Sequence, residues 1–172
     1  MKTFKNLMAL GAIGLATAVI CKPVHAMETG RDIFAGVQLG FTQVSNNVGT
    51  GIGFGAEAGY FFSGPFGVGL YIRHGNHSNN ISSNFYGAEG FYKLDMLLSG
   101  LRAAAILGAG SFSSNGIGGN SAMEVGGKLA YDHSIPCEYP ITVGADVGLT
   151  FTKPGDSMLT MFTPMLTAKW WF

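Results

Sequence analysis

Residues 141–151 read Ile-Thr-Val-Gly-Ala-Asp-Val-Gly-Leu-Thr-Phe, and this stretch decides the fold. Apolar side chains stand at every odd position from Ile141 to Phe151, whereas the even positions carry only Thr, Gly and Asp. A period of two residues predicts a β-strand with one apolar and one polar face, because successive side chains point to opposite sides of a strand.

Seven further segments show the same alternation, separated by Gly, Asn, Ser and Pro residues that favour turns. The predicted strands cover residues 33–41, 52–62, 66–73, 85–94, 101–108, 123–131 and 162–172, together with 141–151. An even number of strands puts both ends of the chain on one side, which we expect to be the periplasm. The turns around residues 63–65, 95–99 and 134–140 share that side, and residues 44–49, 74–83, 111–121 and 153–157 form outer loops.

The charged side chains provide an independent check, because the phase of each strand was set by its apolar residues alone. A charge facing lipid would cost about 2–4 kcal/mol at the bilayer midplane. All nine charges within the strands fall on the opposite face: Glu57, Arg73, Glu89, Lys93, Arg102, Glu124, Lys128, Asp146 and Lys169. The pattern predicts an all-β fold, an eight-stranded antiparallel up-and-down transmembrane β-barrel.

The composition agrees with a membrane barrel. The chain has 27 glycines and 13 phenylalanines, and charged residues make up only 12%, about half the usual share. A soluble β-sandwich or lipocalin-like barrel has the same period, but its water-facing side would be made largely of glycine, which is poor strand chemistry. Aromatic residues near the strand ends are typical of an interfacial girdle; they include Tyr60, Phe62, Phe66, Tyr92 and Tyr131.

The first 26 residues have the pattern of a cleaved signal peptide. Lys2 and Lys5 precede an apolar stretch, and residues 24–26 offer a cleavage site after Ala26, so the barrel domain covers residues 27–172. Cys21 suggests a lipoprotein as an alternative, although Ile20 before it is larger than lipoprotein signals prefer. Removing three lysines leaves seven basic and ten acidic residues, a net charge near −3, which disfavours nucleic acid as a partner. Cys137 is then the single cysteine, and we expect no role for it.

The lumenal charges are the candidate site. An eight-stranded barrel encloses room for its own side chains or one small ligand, and buried charges need partners. The order of the hairpins predicts that Glu57 lies near Arg73, Glu89 beside Arg102, and Lys128 near Asp146, forming a salt-bridge ladder that fills the lumen. The alternative is a polar path for protons or small solutes. Pro164 has no N–H to donate within a strand, so we expect a bulge there or a position above the lipid.

The C-terminal residues carry a resemblance to a known family. The chain ends Ala168-Lys169-Trp170-Trp171-Phe172, with the apolar phase running through Leu166, Ala168, Trp170 and Phe172. This resembles the terminal signal that the outer-membrane assembly machinery recognises. In general shape the chain is similar to the small eight-stranded barrels that include the outer membrane protein A transmembrane domain, opacity-type adhesins and small virulence-linked barrels. The resemblance implies an outer-membrane protein; we expect a monomer whose partners are outer-membrane lipid, lipopolysaccharide and the assembly machinery.

One stretch has catalytic-looking residues. The segment from His74 to Asn79 loosely resembles the His-x-Ser-Asn stretch of the outer-membrane lipid A deacylases, but Ser78 adjoins His77, and Asn76 stands two positions after His74. We therefore predict no catalytic residue, no metal site and no cofactor. The favoured function is a structural or surface-interaction role, a narrow channel for small solutes is the alternative, and a lipid A-modifying enzyme is the third hypothesis.

Overall fold

A computed structural model describes residues 32–45, 48–62, 64–114, 119, 121–135, 139–154 and 157–172. The signal peptide and both cysteines fall outside these ranges. The described residues form eight strands: β1 Ile33–Val44, β2 Gly49–Phe61, β3 Phe66–His77, β4 Ile81–Lys93, β5 Leu101–Ser114, β6 Ser121–Ser134, β7 Ile141–Thr152 and β8 Leu159–Trp171.

The eight strands close into one antiparallel barrel. Each strand pairs with its neighbour in the chain, and β1 pairs with β8 to complete the ring. The predicted fold class is thereby confirmed. Both ends of the described barrel, Ile33 and Phe172, lie together, since the N–H of Phe172 donates to the carbonyl of Ile33 at 2.9 Å; we refer to this as the terminal end and to the other as the loop end. Among the described residues, no helix has the length and apolar character needed to cross a membrane.

The two faces follow the predicted phase. Large apolar side chains such as Val37, Leu70 and Leu107 are exposed on the outside, whereas Glu57, Arg102 and Asp146 are buried inside. This is the inverse of a soluble barrel, in which the apolar face fills the interior. The glycine-rich face therefore lines the lumen, where small residues leave room for long charged side chains.

The strands are longer than the sequence indicates. The predicted outer loop at residues 74–83 is wrong, because β3 runs to His77 and β4 begins at Ile81, leaving only the 3-10 turn Ser78–Asn80 between them. Likewise β5 and β6 extend into the region predicted as a loop at residues 111–121. Serine and asparagine gave these ends the composition of a loop, but their backbones stay paired, and the hydroxyls of Ser82 and Ser113 lie 2.7 Å apart across β4 and β5.

Pro164 is accommodated without an inserted residue. The β1–β8 register is the same before and after the interruption, where Gly40 pairs with Met165 and Gln43 with Phe162. The pairing lapses between them, opposite Pro164, which also pairs with Val147 in the middle of β7. The expected bulge is therefore wrong, because the strand continues in register and lacks only its ladder contacts towards β1.

The contact between β1 and β8, which we call the closing seam, is very close at Gly40. We therefore predict that Gly40→Ala destabilises the barrel. A Cβ atom at residue 40 would lie 2.2 Å from the carbonyl oxygen of Pro164 and 2.7 Å from the Cα of Met165. Overpacking of this kind costs about 1–3 kcal/mol. The free energy of unfolding, measured by urea titration in detergent micelles, should fall by that amount.

Gly90→Ala is the matched control, because nothing lies within 4 Å of a Cβ atom built at Gly90. Surface changes of this type usually stay within about 0.5 kcal/mol. Equal losses of stability for the two variants would contradict the claim that the close contact between β1 and β8 at Gly40 excludes a larger residue.

Candidate functional site: the lumenal charge network

The nine predicted charges all project from the lumenal face of the strands. Seven are buried, and Arg73 and Lys93 are partly exposed. The buried set is Glu57, Glu89, Arg102, Glu124, Lys128, Asp146 and Lys169. The barrel brings most of them within bonding distance of one another, since side chains from all strands converge in a lumen this narrow.

Glu57 is the centre of the network. Its two carboxylate oxygens meet three cations from three other strands: Arg102 Nη2 at 2.9 Å, Lys128 Nζ at 2.7 Å and Lys169 Nζ at 3.2 Å. Charge-assisted hydrogen bonds of this length are the strong ones. Glu57 therefore ties β2 to β5, β6 and β8 across the lumen.

Lys128 joins further acids to the same centre. Its Nζ atom lies 2.7 Å from Glu89 Oε2 and 3.9 Å from Asp146 Oδ2. The amide of Gln38 donates to Glu57 Oε2 at 2.9 Å and to Asp146 Oδ2 at 3.0 Å. Gln38 thus places an uncharged donor between two carboxylates.

Asp132 belongs to this network although it was missed in the sequence. It accepts from Lys169 Nζ and lies 3.1 Å from Arg102 Nε. The predicted strand ended at Tyr131, one residue too early. The signal was present nonetheless, because Asp132 continues the alternation of Glu124, Lys128 and Ala130 on the lumenal face.

Of the three pairs predicted from hairpin order, Lys128–Asp146 is confirmed at 3.9 Å, and the other two are wrong. Arg73 pairs with Glu124, which also accepts from the hydroxyl of Tyr71 at 2.6 Å. Glu89 pairs with Lys128, and among the described residues neither Glu57–Arg73 nor Glu89–Arg102 forms an ion pair within 4.0 Å. Hairpin order considers adjacent strands only, whereas long side chains in a narrow barrel also reach across the lumen.

Apolar clusters close the network off at both ends. At the terminal end, the buried rings of Phe34, Phe61, Phe91 and Trp171 pack together. The guanidinium of Arg102 lies over two of these rings, 5.0 Å from the centroid of Phe34 and 4.9 Å from that of Phe91. The loop-end cluster contains Val44, Tyr71, Phe85, Ile106, Leu159 and Met161.

The sequence pattern predicts aromatic residues on the apolar face as a girdle and does not predict these clusters in the lumen. Their lumenal phase was already visible in the sequence, where Phe34, Phe91 and Trp171 alternate with the outward-facing residues of their strands. Lys93 sits at the rim of the terminal-end cluster, with Nζ 4.3 Å from the ring centroid of Phe61.

The predicted girdle residues lie on the outer surface near the terminal end. Tyr60, Phe62, Phe66 and Tyr92 are exposed, and Tyr131 is partly exposed. They contact one another in pairs, Tyr60 with Phe62 at 5.4 Å and Phe66 with Tyr92 at 5.1 Å between ring centroids. In the C-terminal segment, Leu166, Ala168, Trp170 and Phe172 also face outwards.

The two histidines of the catalytic-looking stretch point to opposite sides of the sheet. His74 faces outwards, with Nδ1 2.7 Å from Asn84 Oδ1, whereas buried His77 has Nε2 2.8 Å from Ser83 Oγ. Side chains on opposite faces of a strand cannot act on one substrate or ligate one ion. Within the described part of the chain, no cluster of three or more His, Cys, Asp or Glu side chains is arranged to hold a metal.

Comparison with known proteins finds similarity in structure. No protein-family model and no curated protein sequence matches this chain. Neisserial surface protein A superposes with a TM-score of 0.60 at 14% identity over 81% of this chain and 97% of its own. OprG of Pseudomonas aeruginosa gives 0.54 at 10% identity over 83% and 96%. Ail of Yersinia pestis, determined in a phospholipid bilayer nanodisc, gives 0.52 at 16% identity over 81% and 99%.

The fold that these observations define is the small closed antiparallel β-barrel of eight strands. The chain shares the closed eight-stranded architecture of those three proteins over nearly their whole length. Sequence identities of 10–16% show a common fold and carry no function across.

The network predicts that Lys128→Met is strongly destabilising. The change removes the cation that contacts Glu57, Glu89 and Asp146 and leaves their charges buried. Breaking a buried pair on one side costs about 3–5 kcal/mol. Urea titration in micelles, followed by tryptophan fluorescence, would measure the loss in the free energy of unfolding.

Lys93→Met is the matched control, since it removes the same charge and adds the same side chain at the partly exposed rim. Its main described contact is the one with the Phe61 ring, worth about 0.5–1 kcal/mol at an exposed site. A loss at residue 128 no larger than the loss at residue 93 would show that the network does not stabilise the barrel.

Proposed function

We propose that this protein is an integral outer-membrane β-barrel with a structural or surface-interaction role, no channel activity and no reaction of its own. One observation carries the proposal: the lumen is occupied by cross-linked charges between two apolar clusters. A barrel filled in this way acts through its surfaces.

The contents of the lumen oppose the channel alternative. A solute would have to displace the rings of Phe34 and Phe91 at one end and Phe85 and Met161 at the other. Between the ends it would have to separate ion pairs whose side chains are almost fully buried. Each step exposes groups that are paired or packed, and the free-energy cost adds along the path.

The outer surface fits a membrane with lipopolysaccharide on one side. The strands have 12–14 residues, more than the roughly 9–11 needed to cross the hydrocarbon core. Beyond the apolar band, the outward face of β3 and β4 carries His74, Asn76, Ser82 and Asn84. These groups suit the hydroxyl-rich sugars of lipopolysaccharide, which we propose as the surrounding ligand of a monomeric barrel.

The purified protein should show no conductance steps in planar bilayers. The same expectation holds for Glu57→Ala, which removes charge from the network but leaves both apolar clusters in place. Steps in the wild-type protein that change in size in Glu57→Ala would favour the channel alternative instead.

Lipid A mass spectra from cells that do or do not express the protein separate the enzyme hypothesis from the proposal. Identical spectra are expected. A mass change that reverts in His77→Ala would overturn the assignment of a protein without a reaction.

Export and assembly involve the C-terminal strand in this proposal. Trp170 and Phe172 alternate outwards, and the backbone of Phe172 joins Ile33 beside the closing seam. Deleting Phe172 should lower the amount of folded barrel in the outer membrane several-fold, because the terminal signal is lost. The yield can be measured as the band of altered mobility in unheated gel samples.

Ser157→Ala, in the exposed connection between β7 and β8, is the control for that experiment and should leave the folded fraction unchanged. A Phe172 deletion that assembles as well as this variant would remove the C-terminus from the assembly step.

A further inference from the structure

The turn between β4 and β5 is apolar where a turn at a water-facing barrel end would be polar. Residues 94–100 read Leu-Asp-Met-Leu-Leu-Ser-Gly. Met96 is 100% exposed, Leu97 77% and Leu98 52%. Three large apolar side chains in succession at the tip of a turn form an exposed apolar patch. Such patches mark sites that bind another protein or a membrane.

The backbone of this turn is satisfied from within. The N–H groups of Leu97 and Leu98 both donate to the carbonyl of Leu94, at 2.8 and 3.2 Å, and that of Leu101 donates to Leu98 at 3.0 Å. The N–H of Gly100, whose φ of +85° suits glycine, donates to Asp95 Oδ1 at 3.2 Å. A segment that leaves water needs its polar backbone groups bonded internally, and this turn meets much of that requirement.

The apolar tip continues the outward-facing girdle. Leu94 follows directly after β4 and continues the outward phase of Tyr92, whose ring packs edge-to-face on Phe66 of the neighbouring strand. The surface therefore runs without a polar break from the lipid-facing strand to the girdle and on to Leu94. Asp95 is the charged residue of the turn and is exposed beside Met96, and its Oδ1 accepts the hydrogen bond from the N–H of Gly100.

We propose that the β4–β5 turn inserts into the phospholipid leaflet at the terminal end of the barrel, with Met96, Leu97 and Leu98 among the upper acyl chains. The proposal rests on the outer-membrane location proposed above. Its occupant is lipid and not another protein, because the patch is continuous with the lipid-facing surface and the turn carries its own hydrogen bonds.

Nitroxide labels can measure the depth of this turn in phospholipid vesicles. Leu97→Cys, made in a Cys137→Ser background and labelled, reports collisions with apolar oxygen and with a water-soluble nickel chelate. Leu107→Cys, on the outward face of β5, serves as the lipid reference, and Ser157→Cys, in an exposed loop-end connection, as the water reference. A label at Met96→Cys repeats the measurement at a second position, and unheated gels confirm that each variant is folded.

The label at residue 97 should collide with oxygen several-fold more often, relative to the nickel chelate, than the label at residue 157. A ratio equal to that at residue 157 would place the turn in water and overturn the insertion. Low accessibility to both reagents would place a protein there, a second copy or another chain, and would overturn it too. If the turn is not inserted but the label at residue 107 still collides mainly with oxygen, the membrane location of the barrel stands. If the label at residue 107 collides mainly with the nickel chelate, the membrane location is overturned as well.

Discussion

The fold depends on one constraint: in lipid, no backbone N–H or C=O group can remain without a partner. A sheet meets that demand only when its first and last strands pair, and here β1 and β8 do so. Closure in turn sets the diameter, because eight strands enclose a lumen only as wide as a few side chains. The size of the barrel thus determines what its inward-facing residues can do.

The narrow lumen explains why the interior is ionic and yet filled. The absence of a side chain at Gly59 and Gly69 leaves space for the rings of Phe34 and Phe91. The long charged side chains of Glu57, Arg102 and Lys128 are buried in the same lumen. Transfer of such charges out of water is costly unless each is paired. The charge of Glu57 is compensated by three cationic partners, and the amide of Gln38 donates hydrogen bonds to two carboxylates. The apolar end clusters limit access of water to these pairs, which strengthens their electrostatic attraction.

Alternation was enough to predict the number of strands, their faces and the lumenal position of nine strand charges, although not that of Asp132. Hairpin order predicted the contact between Lys128 and Asp146 on adjacent strands. It could not predict pairs that cross the lumen, such as Arg73 with Glu124. The predicted strands were also too short where serine and asparagine, which are typical of loops, occur at strand ends, as at Ser82 and Asn84. Asp132 and Phe34 show the same limit, because a residue in the correct phase acquires its role only from residues that the closed barrel brings opposite to it.

The interrupted pairing at Pro164 has a consequence for the chain before its barrel is closed. At that stage β8 is an edge strand, and unprotected edges recruit strands from other molecules. The gap opposite Pro164 lies on the side of β8 that meets β1, so the proline protects one of the two edges that stay open until the barrel closes. A strand from another chain that paired with this edge would lack the N–H donor at Pro164. The β1 strand lacks the same donor but pairs with β8 on both sides of the gap. The residue that weakens the finished seam therefore favours self-closure over aggregation.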